Sequence, residues 1–223
     1  MDAWNWWMHS DAGLAARIAI GAGVFAAMAA YDYAHNRERA TRWREYAVLL
    51  VAVIVAMIYG VLNDQLTSAI SWEYFYYGKG LADQLGPQTP PDALRLHLAA
   101  AVVGIKATWS AGLIIGVAML LANNPSRTLP RLPNTSLLRL VPFIVIITAC
   151  CAALGGLSGY TGLPAHWSDD FAQMLRRDEM RPRRFMTVYG IHLGGYIGGL
   201  IAIVAVVLRI RRQRGRLASL RSG

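Results

Sequence analysis

Hydrophobic residues are grouped along the chain into five long runs, which are separated by shorter polar stretches. The runs lie near residues 12–33, 46–66, 97–122, 138–160 and 187–209. A helix needs about 20 consecutive apolar residues to cross the hydrocarbon core of a bilayer, and each run reaches that length. The pattern therefore predicts an all-α fold, an integral membrane bundle of five transmembrane helices that forms a single domain over residues 1–223.

The first run is the weakest of the five. It consists mostly of alanine and glycine, as in residues 20–26. Small residues let helix backbones approach each other closely, so we expect this segment to pack against protein rather than to face lipid alone. A bundle of four helices, with the first segment at its periphery, is the alternative.

The formal net charge is +9. On a soluble fold this excess would suggest nucleic-acid binding. Here the basic residues lie between apolar runs, where they act as orientation signals that face an anionic leaflet. We therefore expect a lipid bilayer, and no nucleic acid, as the partner of the chain.

The distribution of the basic residues predicts an orientation. The loops 34–45 and 123–139 and the tail after residue 208 hold 13 arginines, whereas the N-terminus and the loops 63–96 and 161–186 hold 7 basic residues. The positive-inside rule places the more basic side in the cytoplasm. This predicts an N-terminus outside, outer loops at 63–96 and 161–186, and a basic cytoplasmic tail at 209–223. Only Lys79 and Lys106 are lysine, a bias that favours a high-GC bacterial genome and hence the bacterial inner membrane.

A polar stretch at the end of the second run carries candidate chemistry. Acids and amides at the edge of a bilayer are costly unless they have a function. Asp64, Thr67, Ser71 and Tyr74 recur at steps of three to four residues, so they share one face if the helix continues past the apolar run. The alternative is a helix end that leaves the membrane, with the aromatic residues at 72–77 as an interfacial belt.

A second acid, Glu73, follows nine residues after Asp64. On a straight helix the two acids would lie about 180° apart. They can therefore meet at one site only if the helix breaks between them; otherwise they belong to two sites.

His192 lies one turn inside the outer end of the fifth run, at the depth expected for Asp64. A carboxylate with an imidazole suits a transition metal or a proton relay. The sequence thus predicts a metal or proton site at Asp64, Glu73 and His192, although a structural hydrogen bond of His192 to a tyrosine or carboxylate is the alternative. Residues that would support the site are Gln65, Thr67, Tyr74, Lys106 and Tyr196.

Two further polar residues lie in the third run. Lys106 is about 13 Å from the outer end of that helix, so it needs a partner or must extend its side chain to the membrane surface. Asp64 or Glu73 would supply the counter-charge in a structural ion pair, and a polar path would indicate a channel or transporter. His97 begins the same run, and His97 with His192 could ligate a haem. The haem is the weakest interpretation, because the sequence offers no second histidine pair for electron transfer across the membrane.

Small residues recur along the predicted helices. Such ridges permit close backbone contacts, either within the chain or with another subunit. The ridge residues are Gly104, Thr108, Gly112 and Gly116 in the third run, Gly155 and Gly159 in the fourth, and Gly194, Gly195, Gly198 and Gly199 in the fifth.

The order Tyr-Gly-x-x-x-Asp-Gln-x-Thr-x-x-Ile-x-x-Glu-Tyr-Phe, from Tyr59 to Phe75, resembles a signature of a family of uncharacterised bacterial polytopic membrane proteins. The stretches 107–116 and 192–199 are similar to two further signatures of that family, and the resemblance covers most of residues 55–205. The family usually has histidine at the position of Asn63 and tryptophan at that of Ser110. The resemblance assigns no activity but implies one matched set of residues, namely Asp64, Gln65, Thr67, Glu73, Tyr74 and His192.

No nucleophile elbow, Walker loop, dinucleotide-binding glycines or zinc-protease motif occurs in the sequence. The glycine ridges, the tryptophan-rich N-terminus and the arginine-rich tail favour a non-catalytic subunit or assembly component of a larger, energy-transducing membrane complex, with other membrane subunits or further copies of the chain as partners. The alternatives are a metal- or proton-handling protein with its site near the outer face, and a channel or transporter.

Overall fold

The computed structural model describes residues 10–37, 40–124, 126, 129–162 and 180–222. Within these ranges all regular structure is helical, which confirms the all-α prediction. A π-helical turn at Tyr74–Gly78 follows the second helix. The helices are α1 (Asp11–Asn36), α2 (Arg42–Ile70), α3 (Ala82–Leu85), α4 (Ala93–Ala122), α5 (Asn134–Leu138), α6 (Val141–Tyr160) and α7 (Pro182–Ser222).

Within the part of the chain that the structure describes, five helical segments are long and apolar enough to cross a membrane, as predicted. They are α1, α2, α4, α5 with α6, and α7. The helices also extend further than the apolar runs: α2 continues to Ile70, α4 begins at Ala93 and α7 begins at Pro182. The predicted outer loops are correspondingly shorter, and residues 163–179 of the second loop lie outside the described residues. The orientation of the termini stays a prediction.

The described residues up to Leu49 form one compact unit. Ser10 begins α1 as its N-cap, since its hydroxyl oxygen accepts a hydrogen bond from the Gly13 amide at 2.9 Å. Near the other end of α1, the Asp32 carboxylate accepts hydrogen bonds from the amides of Thr41 and Arg42, each at 2.9 Å. A carboxylate at this position stabilises the start of α2 by satisfying its free amides.

The two glycines of α1 are not closely packed against other described residues. A Cβ atom added to Gly21 or Gly23 would meet no heavy atom within 4 Å. These two glycines therefore do not support the expectation that α1 packs closely against protein. That expectation stays a prediction.

The described residues from Leu50 onward form the second unit, in which α2 and α4 pack backbone against backbone. A Cβ atom at Gly60 would overlap the Gly104 carbonyl oxygen, and one at Gly112 would come within 2.7 Å of the Ala52 carbonyl oxygen. The Thr108 hydroxyl donates to the Gly104 carbonyl at 2.7 Å, so this polar side chain is satisfied within α4. Contacts this close are open only to residues without a bulky side chain.

The helices α6 and α7 pack in the same way over a longer stretch. An added Cβ atom at Gly155 would overlap the Gly190 carbonyl, and one at Gly194 would overlap the Cys151 carbonyl. Gly159 and Gly198 are similarly restricted. The predicted ridges are thus used within the chain, between α2 and α4 and between α6 and α7.

Gly195 and Gly199 differ from the other ridge residues. A Cβ atom at Gly199 would meet nothing within 4 Å, and one at Gly195 would reach only ordinary contact distance, 3.9 Å, from Ala152 and Tyr59. Gly116 is buried on α4. The face of α7 at Gly199 therefore borders open space, whereas Gly195 is only loosely packed against its neighbours.

Arg214 closes one end of this unit. It is only 4% exposed, and its guanidinium donates to the carbonyl oxygens of Ala122, Asn124, Leu129 and Pro130 at 2.6 to 2.9 Å. These carbonyls lie at and after the C-terminal end of α4, where the helix dipole is negative. The predicted basic tail is thus a continuation of α7 that Arg214 attaches to the loop after α4.

Aromatic residues close the opposite end. Phe75 is fully buried, and Tyr74 and Tyr76 are less than 8% exposed, so the alternative of an interfacial aromatic belt is wrong for these three residues. The chain leaves α2 at Ile70 and folds back through the π-helical turn, which packs its rings against Leu96 of α4 and Phe185 of α7. Burial of aromatic rings is strongly favourable and fixes this turn in place.

We expect Gly194→Ala to destabilise the protein by about 1 to 3 kcal/mol, because the new methyl group would overlap the Cys151 carbonyl. Gly199→Ala is the matched control in the same helix, since its methyl group would meet nothing within 4 Å. It should be neutral or stabilising by up to about 1 kcal/mol through helix propensity. Thermal midpoints of the purified variants measure the difference; equal midpoints would contradict the close packing.

Arg214→Lys should loosen the loop after α4, although it keeps the charge. Lysine cannot replace the planar fork that reaches four carbonyls, and each lost charge-assisted hydrogen bond contributes about 1.5 to 3 kcal/mol. Hydrogen exchange should become faster across residues 122–132. The control is Arg211→Lys, a change at an exposed position of α7 that should leave this exchange unchanged. Identical exchange in both variants would show that Arg214 does not hold the loop.

Candidate functional site

The structure brings Asp64 of α2 to His192 of α7. Asp64 Oδ1 and His192 Nε2 are 3.7 Å apart, and the two residues are 2% and 8% exposed. This separation suits an ion pair but is too long for a hydrogen bond. The pairing of these two residues was predicted from their matching depths in the sequence.

The pair leaves two polar atoms unsatisfied. Asn63 donates to Asp64 Oδ1 at 3.2 Å. Within the described residues, Asp64 Oδ2 and His192 Nε2 have no hydrogen-bond partner. Buried polar atoms in proteins are nearly always hydrogen-bonded, to protein, water or a ligand. The pair therefore has the capacity to bind a further polar group.

Aromatic rings hold the imidazole in place. The Tyr74 ring is stacked on His192, with centroids 4.9 Å apart and planes 12° apart. Phe75 meets the imidazole edge-on at 6.2 Å, and Phe185 contacts the Tyr74 ring at 5.3 Å. Tyr74, which the sequence analysis named as a supporting residue, thus lies flat against the imidazole of His192, and its supporting role stays a prediction.

Lys79 belongs to the same cluster, and sequence reasoning missed it. Its Nζ atom lies 5.5 Å from the centroid of the Tyr74 ring, a cation–π distance. The Lys79 amide donates to the Tyr74 carbonyl at 2.9 Å, which closes the π-helical turn. A π-helical turn brings residues five positions apart into contact, and no pattern in the sequence predicts such a turn.

Burial raises the pKa of the Tyr74 hydroxyl above the usual value for tyrosine. The phenolate would be charged in an apolar environment, so the neutral form is favoured. The neighbouring Tyr196 and Asp64 act in the same direction, since a second negative charge nearby would be repelled. Tyr74 is therefore a stable neutral platform for His192.

Glu73 forms a separate buried group. Its Oε2 atom accepts a hydrogen bond from the Ser71 hydroxyl at 2.7 Å, and its Oε1 atom has no partner within the described residues. No three His, Cys, Asp or Glu side chains in the described part of the chain are arranged to hold a metal ion. The structure thus joins Asp64 with His192 but gives no geometric support for a metal bound by these two residues and Glu73.

A cavity of about 370 Å³ adjoins the pair, between the α2–α4 and α6–α7 helix pairs. Its walls are almost entirely apolar, and Gly195 and Gly199 widen it because they have no side chain. Asn63, Asp64 and His192 form a polar group in its lining. The other lining residues include Val55, Tyr59, Thr108, Ala111, Ile115, Val145, Thr148, Tyr196 and Ile203.

The remaining predicted site residues have other positions. Gln65 donates to the His97 carbonyl at 2.8 Å, and Ser68 contacts His97 Nδ1 at 3.1 Å, so these residues join α2 to α4. Thr67 is buried and donates to the Asn63 carbonyl at 2.8 Å. Lys106 is exposed on α4 and is not among the residues that line the cavity.

No family model matches the chain, and no curated protein or solved structure does so either. The resemblance of residues 59–75 to a family signature therefore stays a prediction. Of the residues in that signature, Asp64 and Tyr74 meet His192 in the site. Gln65 and Thr67 instead donate hydrogen bonds to backbone carbonyls.

We expect the Tyr74→Phe variant to show the same tyrosine ionisation as the wild type when the folded protein is brought to about pH 11, just above the usual tyrosine pKa. The reason is that burial keeps the Tyr74 hydroxyl neutral at that pH. Ultraviolet absorbance of the phenolate measures the number of ionised tyrosines. In denaturant the variant should show one ionising tyrosine fewer; a deficit already present in the folded state would contradict the assigned burial.

Proposed function

We propose that this chain is a membrane protein that binds a lipid-soluble molecule bearing a hydroxyl group, and that Asp64 and His192 share a proton with that hydroxyl. One observation carries the proposal: two buried polar atoms without partners, Asp64 Oδ2 and His192 Nε2, belong to residues that line an apolar cavity. The proposal is a form of the proton-handling alternative derived from the sequence.

The two side chains define the polar part of the ligand. A carboxylate accepts hydrogen bonds, and an imidazole nitrogen donates or accepts according to its protonation. A hydroxyl group does both, so it can donate to Asp64 and accept from His192. Asp64 Oδ1 and His192 Nε2 are 3.7 Å apart, so the carboxylate and the imidazole are close enough for one oxygen atom to contact both.

The cavity defines the rest of the ligand. Its volume of about 370 Å³ is within the range of small-molecule sites, which is roughly 300 to 1,000 Å³. Its walls come from apolar residues of four helices that are long enough to cross a membrane. A molecule that partitions into lipid loses no hydration on entering such a site, whereas a charged or sugar-like molecule would.

The competing functions rest on features that the fold uses in other ways. The glycine ridges and the basic tail suggested a subunit of a complex, but both make close contacts inside this chain. Lys106 suggested a transport path, but it is outside the cavity lining. A subunit role remains a prediction, and it is compatible with ligand binding.

A matched pair of probes tests the proposal. The chain, labelled with ¹⁵N at histidine and placed in phospholipid nanodiscs, is titrated with 1-dodecanol and, separately, with dodecane. We expect the His192 imidazole resonance to shift with dodecanol and to stay unchanged with dodecane, because only the alcohol supplies a hydrogen-bonding group. The His192→Gln variant assigns the resonance. Equal responses to both probes would contradict the proposal.

Variants separate the cavity from the surrounding lipid. Val145→Phe fills the cavity, whereas Ile146→Phe adds the same ring to the neighbouring, exposed position. We expect dodecanol to bind at least about tenfold more weakly to Val145→Phe and with unchanged affinity to Ile146→Phe. Asp64→Asn should also weaken binding about tenfold, since a neutral amide forms a weaker hydrogen bond than a carboxylate. Unchanged binding in Val145→Phe would place the alcohol outside the cavity.

A further inference from the structure

We infer a second binding site, independent of the cavity, that holds the phosphate of an anionic phospholipid at the Arg214 end of α7. A groove of about 510 Å³ lies there between α6 and α7. It combines an apolar part with a strongly basic part, as a phospholipid combines acyl chains with a charged headgroup. Its lining residues are Phe143, Ala205, Leu208, Arg209, Arg212, Gln213 and Arg216.

Three arginines share the groove because of their spacing. Arg209, Arg212 and Arg216 are three and four residues apart, which places them on one face of α7. Arg214 points elsewhere, since its guanidinium is buried among the carbonyls after α4. The groove thus receives three guanidinium groups from one stretch of two helical turns.

These arginines have no acidic neighbour on the helices that form the groove. The sequence contains no Asp or Glu between residues 93 and 168 or after residue 179, so both α6 and α7 lack acids completely. Three like charges in one groove repel one another unless an anion compensates them. Charge complementarity therefore favours an anion that does not belong to these two helices.

Phe143 arranges one of the three cations. The Arg209 guanidinium lies over the Phe143 ring, and its central carbon, Cζ, is 4.9 Å from the ring centroid. Stacking on an aromatic ring leaves the N–H groups at the edge of the guanidinium free to bind a phosphate in a bidentate manner. The ring thereby orients Arg209 without neutralising it.

The position of the groove favours a lipid over a free phosphate ion. Leu208 and Ala205 continue the groove toward the apolar part of α7, along which acyl chains would lie. This end of the bundle also carries the excess of arginine that predicts the cytoplasmic side, whose leaflet is rich in anionic lipids. Basic pockets between transmembrane helices on that side commonly bind such headgroups.

Native mass spectrometry of the intact chain in detergent tests this site. Dioleoyl phosphatidylglycerol and dioleoyl phosphatidylcholine are added in parallel at equal concentration, and bound lipid is counted as the mass increase. We expect phosphatidylglycerol to bind at least about tenfold more tightly than phosphatidylcholine, because one strong charge-assisted contact changes the affinity by about that factor. Equal binding of the two lipids would overturn the proposal.

Arg212→Gln and its neighbour Arg211→Gln form a matched pair, because each removes one charge from an exposed position of α7 and only Arg212 lines the groove. We expect Arg212→Gln to weaken phosphatidylglycerol binding about tenfold and Arg211→Gln to change it less than about twofold. Arg216→Gln should behave as Arg212→Gln does. Equal losses in Arg211→Gln and Arg212→Gln would reduce the effect to overall charge and reject the site.

A competition experiment distinguishes the two sources of phosphate. Excess inorganic phosphate should leave bound phosphatidylglycerol in place, because the ion offers no acyl chains to the apolar part of the groove. Complete displacement by inorganic phosphate would overturn the assignment to a lipid and make this a site for a free anion.

Discussion

The direct backbone contact between paired helices is the constraint on which the rest of this structure depends. Where Gly155 meets Gly190 and Gly60 meets Gly104, no side chain fits between the helices. Such contacts gain dispersion energy and bring polar backbone groups together, which is the main driving force for helix association in lipid. Because α2 pairs tightly with α4 and α6 with α7, the space between the two pairs is left for the cavity.

The same packing explains how two costly side chains are tolerated. A buried carboxylate or imidazolium in an apolar environment is expensive alone, but the two together can carry opposite charges or share one proton. Asp64 and His192 come from different helix pairs, so their contact also ties the pairs together at one end. Arg214 performs the corresponding task at the other end with neutral carbonyl acceptors only. The bundle is thus closed by polar contacts at its ends and by glycine contacts along its length.

Hydrophobic run lengths were enough to predict five helices, and helical spacing was enough to predict the ridges. The matching depths of Asp64 and His192 in their apolar runs were enough to predict that the two residues meet. The features that could not be predicted from the sequence depend on tertiary packing. The aromatic residues after Ile70 resemble an interfacial belt in sequence, yet a π-helical turn buries Phe75. Arg214 looks like any other basic residue of a tail, and only the carbonyls of a distant loop make it structural. The cavity lies beside a glycine that contacts no other helix, Gly199, and no local sequence pattern distinguishes such a glycine from the tightly packed ones.

The apolar surroundings also limit the chemistry that the site can perform. Separating charges in a medium of low dielectric constant is costly, whereas moving a proton within a group of constant net charge is not. In the proposed complex, Asp64, His192 and the hydroxyl group of the ligand would form such a group, because a proton that moves between neighbouring oxygen and nitrogen atoms leaves their net charge unchanged. The Tyr74 ring, which is stacked on the imidazole, would keep its plane fixed. These surroundings therefore support the proposal of proton sharing with a lipid-soluble ligand over the binding of a free ion.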